Sequence, residues 1–425
     1  MSQSLFPAQL SQGSDLALDL SHNSCRRCSP GWMCASVGVT VGLVSVLLPN
    51  APAFAGSSVH SRSGSSMKGA IAAQNSLQAK LSPVVTQRFK ELGVPGAMVG
   101  VWVKDQQWIA TLGVANLAKK TPIKPNEYTR IGSITKTFTG TVVLQLEDEG
   151  KLSLKDPVSK YLPNVPNGDK ITIRQLGDMR SGLFNYSEDR TFQKTLFSNP
   201  ERAWNPQELI KVAFQPDNKP YFLPDQGFHY SNTNTVLLGL IAEKVTGNPL
   251  HTEVDRRIVK RFGLRHTIFP TDSTIPTPHV HGYWYDMDAK PTPEIKDVTN
   301  WNPSWGWAAG AIISKLEDVR RYSKLLATGG LVSRSTQAER LRWTTITTEA
   351  PGQWQGVPLK YGFAIASYNG AIGHNGSLPG YQSFMGYIPE QDATVVVLVN
   401  VQENAKGITP ADNLARLIVD QLKRM

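Results

Sequence analysis

Ile131-Gly132-Ser133-Ile134-Thr135-Lys136-Thr137-Phe138-Thr139-Gly140 is the stretch on which the reading of this chain turns. Residues 135–149 carry a helical pattern that Gly150 closes, and a glycine just past the last turn is a common helix stop. Ser133 sits at the start of that helix and Lys136 three residues on, so the two share a face. A serine hydroxyl is a weak nucleophile and needs a base. Lysine serves as one only when neutral, which burial or a neighbouring positive charge brings about. The positive end of the helix dipole also favours an oxyanion developing at Ser133. Taken alone the pattern is weak, because roughly one or two Ser-x-x-Lys matches are expected by chance in a chain of this size. The second match, Ser65 to Lys68, falls in a Ser/Gly-rich segment and reads as such a coincidence.

Two further elements raise the specificity. Tyr230-Ser231-Asn232 is the only Tyr-x-Asn in the sequence and lies on a polar loop, residues 230–234, ahead of a predicted helix at 236–246. A tyrosine beside a cation can relay a proton to a leaving group. An asparagine can hold both the lysine and a substrate carbonyl. The plainer reading is that Ser231 or Asn232 caps the next helix. The third element is His374-Asn375-Gly376-Ser377, where Gly373, Gly376 and Gly380 allow backbone to approach a ligand closely. Its plainer reading is a glycine-rich turn.

Outward from these motifs the pattern is that of an α/β protein. Residues 70–92 read as a helix ended by Gly93. Residues 97–103 and 108–114 read as a hairpin around Lys104-Asp105-Gln106. Residues 361–367, 381–388 and 393–399 read as strands, and 413–423 as a closing helix. The intervening stretch, about 154–296, is proline-rich and mostly helical. Strands at both ends with a helical middle imply one antiparallel sheet built from both chain ends, flanked by helices and carrying a mostly helical inserted domain. Trp301, Trp305 and Trp307 are candidates for the pocket wall or for the core.

The 425 residues are 40% hydrophobic and 18% charged, with a formal net charge of +10. That composition is globular. The basic residues are dispersed among acids, so no nucleic-acid partner is expected. The three cysteines, Cys25, Cys28 and Cys34, all precede a segment that reads as an export signal. Arg26-Arg27 supply its positive region, residues 37–48 an uncharged apolar run, and Ala53-Phe54-Ala55 the small residues before a cut after Ala55. The expected division is a signal peptide 1–55, a flexible linker 56–68 and a catalytic domain 69–425. An exported, periplasmic or secreted protein follows, with no membrane span once the signal is removed. An uncleaved N-terminal anchor is the alternative.

Together the three motifs resemble the serine β-lactamase and penicillin-binding superfamily, marked by Ser-x-x-Lys, Tyr-x-Asn or Ser-x-Asn, and Lys-Thr-Gly or a substitute. The branch of D-alanyl-D-alanine carboxypeptidases and class C β-lactamases is the more similar. The likeness extends through "LEDEGKLSLKDPVSKYLP", "ITIRQL" and "SGL" up to Leu183, then "YSNTNTVLLGLIAEKVTG", "AAGAIISKLEDVRRY" and "GHNGSLPGYQS". It implies a β-lactamase/transpeptidase-like fold with Ser133 acylated, and with Lys136 and Tyr230 sharing acid–base work. It implies an oxyanion hole from the N–H groups of Ser133 and of Ser377, the latter on the edge strand. Substrate contacts would come from Asn232, His374, Asn375, Gly376 and Ser377. His374 stands where many relatives have lysine, and Asn375 where they have threonine. The implied activity is a D-alanyl-D-alanine carboxypeptidase-type hydrolase. A β-lactamase, a D-aminopeptidase, a carboxylesterase and a non-catalytic peptidoglycan-binding module are the alternatives. Small peptides, β-lactams, esters and peptidoglycan are the candidate partners. No cofactor and no metal are expected, since the pair His279 and His281 lacks further ligands at suitable spacing.

Overall fold

In the strand Gly96–Val103, successive side chains go to two different cores. Ala97, Val99 and Val101 join one apolar cluster and Met98 and Trp102 the other. The strand Ala393–Val399 divides in the same way, with Val395, Val397 and Val399 on one side and Val396 and Leu398 on the other. That is the period-two alternation of a strand covered on both faces. The computed structural model describes residues 63–425 apart from 288, 290, 291 and 347–353, and Lys68–Met425 packs as one compact unit. Among the described residues the main sheet has nine strands, all pairs antiparallel.

The two chain ends meet inside this sheet. Gly96–Val103 pairs with Gln106–Asn116 on one side and with Ala393–Val399 on the other. Tyr381–Ile388, Ala371–Leu378, Ile365–Tyr368, Leu359–Gly362 and Thr344–Thr345 continue the order. The back face is covered by the N-terminal helix, Ser63–Leu92, from Leu77 onward, and by the closing helix, Pro410–Lys423. The front face receives the helix Thr135–Asp148 and the helix Leu316–Thr328. The fold class read from the sequence therefore holds. It is a large antiparallel sheet from both ends of the chain, flanked by helices.

Several boundaries differ from expectation. The N-terminal helix starts at Ser63 and so takes in residues read as linker. Residues 361–367 are not one strand but the turn of a hairpin, Leu359–Gly362 with Ile365–Tyr368. The turn is closed by Ala364 at φ 51 and has no proline to announce it. Helices also continue beyond 296, through Leu316–Thr328 and Arg334–Arg340. The cysteines, Arg26-Arg27, the apolar run 37–48 and Ala53–Ala55 lie outside the described residues.

Candidate active site

Ser133 lies in a single 3-10 turn, Gly132–Ile134, that runs directly into the helix Thr135–Asp148. The turn is held from three directions. Ile131 N donates to Ile312 O, Thr137 Oγ1 donates to Ile134 O, and Ser383 Oγ donates to Ile131 O at 2.8 Å. Gly132 has φ 51, a left-handed conformation that favours glycine.

One turn further along, Lys136 is fully buried. Its Nζ lies 3.0 Å from Ser133 Oγ, 2.7 Å from Asn232 Oδ1 and 2.9 Å from Ala309 O. The last two contacts are to oxygens that only accept, so they take two N–H groups. A neutral amine then has its lone pair left for the Ser133 hydroxyl. Burial pulls the ammonium well below its ordinary value, which favours that neutral form. Tyr230 places its ring 4.8 Å from Nζ. Burial raises the Tyr230 phenol, against a smaller opposing effect of the Ser133 hydroxyl, so the phenol keeps its proton.

Asn232 is the first residue of the helix Asn232–Thr246. Its amide does not cap that helix. Oδ1 faces Lys136, while Nδ2 donates to Ser187 Oγ at 2.9 Å. Ser187 Oγ in turn donates to Asn185 Oδ1, which also accepts from Asn232 N. Asn185 and Ser187 therefore fix which way the Asn232 amide points. Sequence reading missed both, and also the Ala309 carbonyl and Ser383. The nearest signal for the first two was the Ser-Gly-Leu run just before them.

The third motif is on the strand Ala371–Leu378. This is an inner strand, although its second half borders no neighbour on one side, because pairing with Ile365–Tyr368 stops at Gly373. Two glycines bring this half against the Ser133 turn. A Cβ on Gly132 would meet Ser377 N at 2.7 Å, and one on Gly376 would meet Ser133 N at 2.9 Å. The two backbone N–H groups are thus neighbours at one spot, as an oxyanion hole requires. Ser133, Asn232, Pro303, Trp305, Gly306, Ala309, Gly310, Ser377 and Leu378 line a cleft there. Trp305 is the tryptophan at the cleft, while Trp301 packs against Phe197 and Trp284.

The side chains of His374 and Asn375 are placed differently from the substrate contacts expected of them. His374 is fully buried, with Nε2 3.1 Å from Tyr361 Oη and its ring 6.1 Å from that of Tyr230. Burial, and secondly the charge Lys136 carries whenever it is protonated, lower its pKa to about 3, so the ring is neutral. Asn375, one residue on, faces the other side of the sheet by the same alternation. Its Oδ1 accepts from Tyr368 Oη, and its Nδ2 donates to Asp412 of the closing helix. It has no side-chain atom to offer the cleft.

The family profile described as Beta-lactamase matches residues 81–420. The chain belongs to the β-lactamase family. PbpX of Bacillus subtilis (strain 168), which carries a penicillin-binding-protein name, is 27% identical over 327 residues, 76% of this chain and 74% of that one. Among solved structures, a D-stereospecific amidohydrolase from Streptomyces sp. is 31% identical with a TM-score of 0.69, over 81% of this chain and 97% of its own. The D-amino acid amidase of Ochrobactrum anthropi SV3 shares the fold, with a TM-score of 0.72 at 22% identity over 82% of this chain and 99% of its own. This member of the β-lactamase family is a serine hydrolase.

Proposed function

We propose that the protein hydrolyses small amides and esters through an acyl-enzyme on Ser133, and that its substrates need no free terminal carboxylate. In acylation, Lys136 Nζ takes the Ser133 proton as Oγ attacks the carbonyl carbon. The Ser133 and Ser377 N–H groups hold the resulting oxyanion. Tyr230 Oη gives its proton to the departing amine or alkoxide and regains one from Lys136. A water then attacks the ester by the reverse route.

The observation that carries the substrate class is the charge of the cleft. Its lining residues are uncharged, among the described residues the one basic side chain bonded to Ser133 is Lys136, itself favoured as the neutral amine, and the neutral His374 ring lies 6.1 Å from that of Tyr230. A buried carboxylate without a partner is costly. The 31% identity to a D-stereospecific amidohydrolase supports an amidase over a carboxypeptidase. The expected result is a kcat/KM for a D-amino acid amide or short-chain ester within about tenfold of that for a matched peptide ending in a free D-alanine. A preference for the free acid above about 100-fold, roughly 2.7 kcal/mol of transition-state binding, would overturn this and restore the carboxypeptidase reading.

Export is proposed with it, on the strength of the N-terminal sequence. The mass of the native protein should correspond to a chain starting near Gly56.

A further inference from the structure

Ser383 is on the strand Tyr381–Ile388, directly opposite Gly376 in the ladder. Facing residues on neighbouring antiparallel strands project their side chains to the same side. Gly376 has no side chain, so the space in front of it is free. Ser383 Oγ, fully buried, crosses that space and donates to Ile131 O at 2.8 Å. A Cβ on Gly376 would stand 2.5 Å from Ser383 Oγ and 2.2 Å from Ile131 O, in the path of this bond. The Ile131 carbonyl opens the 3-10 turn, where it also accepts from Ile134 N at a longer 3.3 Å. The peptide that follows it leads, through Gly132 at φ 51, to the Ser133 N–H.

We infer that Ser383 is a positioning residue for the oxyanion hole. Its hydroxyl ties the Ser133 turn to the sheet, so that the Ser133 N–H converges with the Ser377 N–H on one oxygen. The inference rests on the proposed acyl-enzyme. The hydroxyl touches no substrate. It sets the direction of a donor that does, and a donor moved by a fraction of an ångström keeps only part of its effect on the transition state.

The test compares Ser383→Ala with Ser383→Cys, whose slightly larger thiol still fills the site but is only a weak donor. Acylation by p-nitrophenyl acetate and inhibition by phenylboronic acid, whose tetrahedral adduct with Ser133 mimics the oxyanion, are measured on both. Loss of one complete oxyanion donor costs about 10²–10³-fold. A misdirected donor should therefore slow acylation by about tenfold with little change in KM, and weaken boronate inhibition by the same factor in both variants. Full activity in Ser383→Cys would overturn the inference, since packing alone would then suffice. So would slowed acylation with unchanged boronate affinity. If Ser383→Ala does not fold, the cysteine variant still decides between these outcomes. Failure of the acyl-enzyme reading itself would look different, because Ser133→Ala would then still be acylated.

Discussion

Lys136 is buried with no carboxylate partner among the described residues and is satisfied by two carbonyl-type oxygens and one hydroxyl. That arrangement tolerates the neutral amine and gives it a single proton to take. Lys136→Ala should lower the acylation rate by roughly 10²–10⁴-fold, measured by burst kinetics, and retained wild-type acylation would assign the base elsewhere. Tyr230→Phe should lower turnover by about 10²-fold with little change in thermal midpoint, since the ring packs as before. An unaltered rate would leave Tyr230 a packing residue. His374 yields a stability prediction. Its folded pKa, about 3, is below the ordinary 6.5, so between those values the unfolded chain binds more protons and stability falls as pH falls. At pH 4 this loss amounts to about 3 kcal/mol. Asp412 and Asp178, each raised to about 6 by burial, act in the opposite sense from about pH 4 to 6. Comparison with His374→Gln isolates the histidine. Urea unfolding should show the variant losing less stability than the wild type between pH 7 and 4, and equal slopes would refute the assignment.

At the scale of elements, the site is a contact between one turn and one strand. Gly132 and Gly376 are the two places where that contact admits no side chain. Gly376→Ala should leave a folded protein with acylation reduced by about 10²-fold, because the methyl group would push the Ile131 carbonyl and the Ser133 amide off the strand. Normal acylation with normal boronate affinity would show that the turn has another place to go. That Ser133, Lys136, Tyr230 and Asn232 lie together was legible in the sequence, because such motifs are carried by side-chain type at fixed spacing. Ser383 and the Ala309 carbonyl were not. A lone serine on a strand has no pattern, and a backbone oxygen has no letter. Asn375 was expected at the cleft, and its side chain instead bonds Tyr368 and Asp412, for a related reason. Its motif names four consecutive residues, whereas a strand sends alternate ones to opposite faces. The hairpin at Phe363-Ala364 was hidden because its positive-φ residue is an alanine, packed against Gly140.

On the whole-molecule scale, the alternating apolar runs at both chain ends were enough to predict a single sheet, but not which helices would cover its back. There the closing helix lies along the strands Tyr381–Ile388 and Ala393–Val399. It buries Leu414, Ile418, Val419 and Leu422, each at most 3% exposed. At about 2 kcal/mol for each such side chain, the helix contributes roughly 8 kcal/mol of hydrophobic burial. A typical domain has only about 5–15 kcal/mol of net stability. The same helix supplies Asp412, which accepts from Asn375 Nδ2 and Gln382 Nε2. Removing it would therefore also leave two amides without that partner, one of them on the strand that carries Ser377. A chain ended after Asn404 keeps every motif residue and every strand of the sheet. It should nonetheless be recovered largely unfolded, without near-ultraviolet circular dichroism and without covalent labelling at Ser133. Refolded, soluble material that acylates at the wild-type rate would show that the front-face helices and the N-terminal helix hold the sheet without the closing helix. The site would then depend on the Ser133 turn and its strand, and not on the closing helix behind them.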